Sequence, residues 1–518
     1  MKIIPQPQKL LKISGNFTID NDCFLFCSDK FSSQAKRLAD MIYHSCKITV
    51  TLTDEIDRAK IIFNSDDNIP REGYHIMLSQ GDLATVTASD VSGCYYAVET
   101  LRQMFNLDAE QERVTCANCY VEDAPKYAYR GLHVDVCRHF FGVDVIKQII
   151  ELMSQDKLNK LHLHLTDDQG FRIEIDKYPL LTEISAVRDG SEVTAGGKTF
   201  IDEQPHGGYY TKDDIREIVR YASEHNVEVI PEVDVPGHMV AALAAYPEYG
   251  CNGTALEVRK TWGISKDILC AGNDATYGFV CDILDEVCEL FPSEYFHLGG
   301  DEAPKDRWCN CKACREKLAE LQLSNFEQLQ THMVEVFRKH LEAKGKTVIC
   351  WNDGITADSD KDIICQVWKP RTTKSGIKEA NNGRKIIMSP FFRTYFDYPY
   401  GMTPLKRTYN FRPNSGVKKS CASNVLGVEG CLWTERIADT DKLFFNLLPR
   451  LDALSECAWG YRGAHFSKRL KKRFELYDKL GLIYNGDASL SDCRKLGVIR
   501  KFFKKDANVE LNKYKNKR

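Results

Sequence analysis

From Tyr129 onward, short runs of mostly apolar residues alternate with stretches whose apolar positions recur every three or four residues. The first pattern suits a strand buried on both faces, the second an amphipathic helix. Strands are expected at Arg130–Val136, Lys160–Thr166, Val227–Val233, Glu294–Gly299, Thr347–Trp351, Ile363–Trp368, Lys385–Ser389 and Val425–Trp433. Helices are expected between them at Val143–Gln155, Asp213–His225, Ala275–Leu290, Phe326–Lys344 and Lys374–Asn381. Eight strands separated by helices or long loops over about 330 residues predict an α/β fold of the (β/α)8 TIM-barrel type. A doubly wound open sheet is the competing architecture. It carries a glycine-rich phosphate turn after its first strand, and DVCRHFFG, which starts at Asp135, is no such turn.

The first part of the chain has a different rhythm. Short β-rich runs (Phe17–Ile19, Cys23–Phe26, Ile48–Leu52, Lys60–Phe63, His75–Leu78, Ala84–Ala88) alternate with helical patterns at Ser32–His44 and Ser92–Asn106. The chain therefore divides into a small α/β or α+β domain without catalytic residues (1–123), a barrel domain (124–462) and a helical, basic C-terminal extension (463–518). The last 18 residues carry seven Lys or Arg, which reads as a solvated terminus.

Composition narrows the partners. Seventy Lys and Arg against 73 Asp and Glu give a net charge of −3, with no general attraction to nucleic acid or to an anionic membrane. The apolar run Met239–Tyr246 is far short of the roughly 18–20 residues of a spanning helix. The N-terminal MKIIPQPQKLLKISG has no apolar core of signal-peptide type. The 20 cysteines are scattered without a framework, several of them (Cys281, Cys288, Cys350, Cys365) inside apolar runs. That usage fits free thiols in a reducing, cytoplasmic setting. The partner is reached through a shaped site; nothing in the sequence sets the oligomeric state.

The chemistry collects at the C-terminal ends of the strands, where barrel active sites lie. The second strand runs into Asp167 and Asp168, the third into Glu232, Asp234 and His238, and the fourth into Asp301 and Glu302. The fifth and sixth end in Trp351 and Trp368; Tyr395 and Asp397 follow the seventh, and Trp433 and Glu435 end the eighth. Adjacent carboxyls in a pocket repel as anions, so one is pushed toward the protonated form that a general acid needs. The flat faces of three tryptophans suit the C–H faces of a sugar or a small methyl group, while Arg130, Asp167 and Glu435 can read hydroxyls. Neighbouring Asp167 and Asp168 compete to face the pocket, since alternation no longer decides where a strand is ending.

The segments RGLHVDVCRHFF, LHLHLTDDQGFRIEID, VIPEVDVPGH, HLGGDE, the WND after the fifth strand, YFDYPYG and EGCLWTE, in this order, resemble glycoside hydrolase family 20. The resemblance runs from about Tyr127 to Trp459, with a preceding domain of the family's size and place. It implies an exo-acting β-N-acetylhexosaminidase that removes terminal, non-reducing N-acetylglucosamine or N-acetylgalactosamine with retention, the substrate's 2-acetamido oxygen acting as nucleophile through an oxazolinium. By the same resemblance Glu302 is the acid and base, Asp301 steadies the acetamido N–H and Tyr395 its oxygen. Trp351, Trp368 and Trp433 wall the acetamido pocket. Arg130, Asp397 and Glu435 hold the sugar, and Asp167, Asp234 and His238 support Glu302. No cofactor and no metal are implied. Phe171 stands where many relatives carry tryptophan, which leaves the core chemistry untouched.

Two other functions compete. A metal-dependent hydrolase would use the HxH pair His162 and His164, but no histidine ends strands five, six or eight to complete a ligand set. A non-catalytic sugar-binding barrel has no use for an intact Asp301–Glu302 pair. Cys309, Cys311 and Cys314 have tight zinc-like spacing, yet no fourth ligand is evident nearby, and free thiols are the expectation.

Overall fold

The computed structural model describes residues 1–79, 81–195, 198–369 and 373–491 and resolves two compact units. One comprises residues 1–128 with 155–157 and 455–479; the other comprises 129–154, 158–454 and, of the described residues that follow, 480–491.

The first unit is built on an eight-stranded mixed sheet flanked by the helices Ser32–Cys46 and Val91–Met104. Its longest strands, Lys9–Ile19 and Arg113–Asp123, pair antiparallel. The second of these, RVTCANCYVED, has no counterpart among the expected strands, although buried and more open positions alternate along most of it. The helix Phe466–Lys479 belongs to this unit instead of forming a separate extension. Arg469 donates to the Ile3 carbonyl at 2.7 Å and Arg473 pairs with the buried Asp156 at 2.8 Å. The basic run at the end of the chain lies outside the described residues.

The second unit is a closed barrel of eight parallel strands: Tyr129–Asp135, Lys160–His164, Glu228–Glu232, Tyr295–His297, Thr347–Trp351, Ile364–Val367, Ile386–Met388 and Val425–Leu432. Every one falls within or beside its expected run. The helices Val143–Gln155, Lys212–Glu224, Asp274–Leu290, Phe326–Glu342 and Thr373–Asn381 match the expected set. Their ends follow local chemistry. Thr211 and Asp214 form a reciprocal capping box, and the Asn273 and Asn325 side chains accept from the first free backbone N–H groups of their helices.

The barrel interior is divided along its axis. Tyr129, Ile230, Ile349, Ile364 and Ile387 form an apolar cluster. Toward the C-terminal ends the interior is polar and equally dry, with His133, His162, Glu232, His297, Gln366 and Glu429 all fully buried. Closure between the eighth and first strands pairs Gly427 with Tyr129, and a Cβ on Gly427 would stand 1.7 Å from the Tyr129 carbonyl oxygen. Backbone cannot yield there as a flexible side chain would. Gly427→Ala is expected to destabilise the chain by about 3 kcal/mol or more, read as a drop in the denaturant midpoint; an unchanged midpoint would show that the seam tolerates a methyl group.

Candidate active site

Four side chains, three histidines and a tryptophan, gather around one carboxylate. Glu232, at the end of the third strand, accepts from His164 Nδ1 at 2.6 Å and from Trp351 Nε1 at 2.8 Å. It pairs with His297 Nδ1 at 3.0 Å and His162 Nε2 at 3.1 Å. Burial alone would raise its pKa, but the His164, His297 and His162 rings hold it well below the usual carboxylate range. His162 and His164 therefore stay charged: burial pulls them down, yet Glu429 and Glu232 for the first, and Glu232 and Asp167 for the second, raise each to about 9. Both ring nitrogens of His164 are engaged by carboxylates, so the HxH pair is committed to the barrel's own ion network.

Asp167 is the second node. Its Oδ2 meets Arg138 Nη2 at 2.7 Å and His164 Nε2 at 2.8 Å, while Oδ1 lies 3.2 Å from His238 Nδ1. Burial opposes its charge, but Arg138 and then His238 hold the carboxyl well below its ordinary value. Asp167, expected from the sequence to read sugar hydroxyls, does not line the pocket; its oxygens are taken up by Arg138, His164 and His238, so it supports its neighbours instead. Asp168 lies close by but makes its hydrogen bonds elsewhere, to Arg259 at 3.0 Å and the Val240 backbone N–H at 3.1 Å. That settles which of the two faces the histidines.

The network opens on a pocket of about 210 Å³, roughly seven water volumes at about 30 Å³ each and room for one sugar ring. Asp234, His238, Asp301, Glu302, Trp351, Trp368, Tyr395, Asp397, Trp433 and Glu435 all line it. Trp351 and Trp433 lie with ring centroids 5.8 Å apart, and Trp368 stacks on Tyr395 at 6.1 Å. The Trp368 indole N–H donates to Asp353 at 2.7 Å, which fixes that wall.

The acidic pair is positioned by backbone. Gly299 and Gly300 have φ of +61° and +92°, and a Cβ on Gly299 would sit 1.8 Å from Asp234 Oδ1. Only glycine fits there, and it lets the Gly300 N–H donate to Asp234 at 2.9 Å. Two non-glycine residues of the pocket, His238 (φ +54°) and Glu302 (φ +46°), also hold left-handed backbone, as several residues outside the pocket do. His238 Nε2 stands 3.9 Å from Glu302 Oε2, completing a line Asp167–His238–Glu302. Burial works against the His238 charge, but Asp167, with Asp234 and Asp301 behind it, holds the imidazole well above its ordinary value.

The carboxyls of the pocket separate by environment. Burial pushes Asp301 well above the usual carboxylate range and Asp234 pushes it further, against the pull of His238. Asp234 is also raised by burial, with His238 pulling down and Glu232 pushing up. Asp301 Oδ1 and Asp397 Oδ1, on two residues of the pocket lining, are buried with no hydrogen-bond partner among the described residues.

A second expected sugar contact, Arg130, is displaced as well. Tyr129 and Gly131 abut Glu429, and His133 abuts Glu232, so the odd-numbered residues of the first strand point inward. Arg130 has the opposite parity, lies two residues into the strand and does not line the pocket. Its place is taken by Arg138, beyond the strand's C-terminal end, held by Asp167, by Asp135 at 3.3 Å and by Gln169 at 3.2 Å, with its guanidinium 4.9 Å from the Trp433 ring centroid. Both arginines lie in RGLHVDVCRHFF, and the strand-end rule selects the second. Sequence reasoning also passed over Asp353, inside the WND segment, and Tyr398 and Phe391 of the pocket wall.

Comparison with known proteins places these features in a family. The model described as glycosyl hydrolase family 20, catalytic domain, matches residues 127–461, and that for domain 2 matches residues 1–124. A beta-hexosaminidase of Porphyromonas gingivalis is 32% identical over 94% of the chain, which spans 64% of that relative's length. A beta-N-acetylhexosaminidase structure from Bacteroides fragilis superposes with a TM-score of 0.80, 28% identity and coverage of 95% of this chain and 99% of that one. A Streptomyces plicatus beta-hexosaminidase variant in complex with the product GlcNAc gives 0.78 and 30%, covering 94% and 96%.

The charged histidines make stability depend on pH. Their folded pKa of about 9 lies above the unfolded value of about 6.5, so the stabilisation is complete below about pH 6.5 and lost as pH rises through 9. The urea midpoint is expected to fall between pH 6.5 and 9.5, the histidine network contributing a few kcal/mol. His162→Gln should flatten that dependence; an equally steep profile in the variant would place its origin elsewhere.

Proposed function

The chain belongs to glycosyl hydrolase family 20, and from that membership we propose that it is an exo-acting β-N-acetylhexosaminidase working by the substrate-assisted route, a recognised exception to the two-carboxylate scheme. The observation that carries the reading is the pocket itself: one sugar in size, walled by Trp351, Trp368 and Trp433, and lined also by Glu302 and by Asp301, one of whose oxygens has no partner among the described residues. A terminal N-acetylglucosamine or N-acetylgalactosamine enters with its acetamido group toward the tryptophans. The relative bound to GlcNAc supports that sugar class.

The acetamido oxygen attacks the anomeric carbon while Glu302, whose side chain is 26% exposed at the pocket mouth, gives a proton to the departing glycosidic oxygen. The Asp301 carboxyl accepts the acetamido N–H. Burial penalises its anion in the free pocket, and the positive charge developing on the oxazolinium is what makes that anion favourable. Tyr395 donates to the acetamido oxygen and orients it. Glu302 then takes a proton from water, which attacks the anomeric carbon, opens the oxazolinium and retains the β configuration. Asp167 and Asp234 hold His238, and through it Glu302. Arg138, Asp397 and Glu435 bind the hydroxyls away from the scissile bond. A reducing, cytoplasmic setting remains our reading of the cysteine usage; cell fractionation checks it.

Aryl glycosides differing at carbons 2 and 4 test the reaction class. The 2-acetamido β-glycosides are expected to be cleaved, and the 2-hydroxy analogues at least about 10³-fold more slowly, since they bring no internal nucleophile. Brisk hydrolysis of a plain β-glucoside contradicts the proposal, and binding without release of the aryl group favours a lectin-like barrel. Glu302→Gln should lower kcat/KM by about 10²–10⁴ for poor leaving groups and far less for activated phenols. Equal losses across leaving groups would remove Glu302 from the acid role.

A further inference from the structure

Away from the pocket, four cysteines from three separate segments meet at one point. Cys251 follows the turn Pro247–Tyr249, Cys270 precedes the helix Asp274–Leu290, and Cys311 and Cys314 begin the helix Lys312–Glu320. The Sγ atoms of Cys270 and Cys314 are 3.6 Å apart, those of Cys251 and Cys314 3.8 Å, and those of Cys270 and Cys311 3.9 Å. All four lie within 4.8 Å of one another. A tetrahedral zinc with Zn–S bonds of about 2.3 Å sets its sulfurs about 3.8 Å apart. The near-equal spacings favour no pair for a disulfide, and a thiol is too weak a hydrogen-bonding group to gather four sulfurs around a common centre.

We propose that Cys251, Cys270, Cys311 and Cys314 form a structural zinc site. The surroundings are shaped for it. A Cβ on Gly272 would stand 2.2 Å from the Ala313 carbonyl carbon and 2.3 Å from the Cys314 nitrogen, so only glycine lets the Cys270 loop lie against the C-x-x-C turn. Trp308 donates to the Leu269 carbonyl at 2.8 Å and Arg307 pairs with Asp267 at 2.7 Å, fixing the same two segments beside the sulfurs. The sequence expectation of free thiols, with Cys309 as the third candidate, is revised. Cys309 is exposed and stays outside the cluster, while Cys251 and Cys270, distant in sequence, complete four ligands. None of the four lines the pocket. The site is a brace: the loop ending at Cys270 donates from Leu269 to the Pro236 carbonyl at 3.0 Å, two residues before His238, and the C-x-x-C turn lies nine residues after Glu302.

The test is elemental analysis of the full-length protein purified without metal-affinity resin or chelator. About one zinc per chain is expected, with Cys251→Ser and Cys311→Ser each lowering the bound metal at least about tenfold and Cys309→Ser leaving it unchanged. Cobalt exchanged into the wild-type protein should give the visible bands of a tetrahedral site and thiolate-to-cobalt charge transfer, a readout that does not depend on whether the variants fold. Metal-free protein whose four thiols react freely, disulfides in the intact mass, iron in place of zinc, or zinc retained by both serine variants would each overturn the assignment.

Discussion

Dry carboxylates set the terms for the rest of the barrel mouth. Taking an anion out of water costs several kcal/mol unless cations or donors replace the solvent. The interior supplies them unevenly: Glu232 is ringed by four histidines and an indole N–H, and Asp167 by Arg138, His164 and His238. Both are ionised structural anions. Asp301 has His238 set against the Asp234, Asp353 and Glu302 carboxyls, and one of its oxygens has no partner among the described residues. The division between committed and available carboxyls is made by what each can reach, since all sit in the same dry region.

Backbone geometry adds a second layer of control. The GGDE turn passes so close to Asp234 that Gly299 admits no side chain, and Glu302 then takes a positive φ that a glutamate seldom adopts. Strain of this kind persists only where the surroundings over-determine it. Here they include the hydrogen bond from the Gly300 N–H to Asp234 and, on our reading, a metal brace behind the two loops that carry His238 and Glu302. An acid that must meet a glycosidic oxygen gains from being held in one place before the substrate arrives.

The barrel could be read from the sequence because parallel strands covered on both faces leave near-continuous apolar runs, and the helices between them repeat at a helical period. The sheet of the first unit was less legible. In Arg113–Asp123 buried and more open positions alternate along most of the strand, so no continuous apolar run marks it. The convergence of Asp301, Glu302, Tyr395 and the three tryptophans followed from a topological rule that strand order alone supplies. The choice between Arg130 and Arg138 turned on strand parity and strand end, both implicit in the chain but unsettled until the register with Glu232 and Glu429 was known.

Sequence by itself determined the eight-strand order, the helices, the residues at the strand ends and, through seven ordered segments, the family. Those are properties of neighbours along the chain, set by local periodicity and turn chemistry. Tertiary structure alone decided that Asp167 and not Asp168 meets the histidines, that Arg138 reaches the pocket, and that Cys251 and Cys270 join Cys311 and Cys314. Each of these depends on separations in space between residues far apart in sequence, fixed by how the loops pack once the barrel has closed.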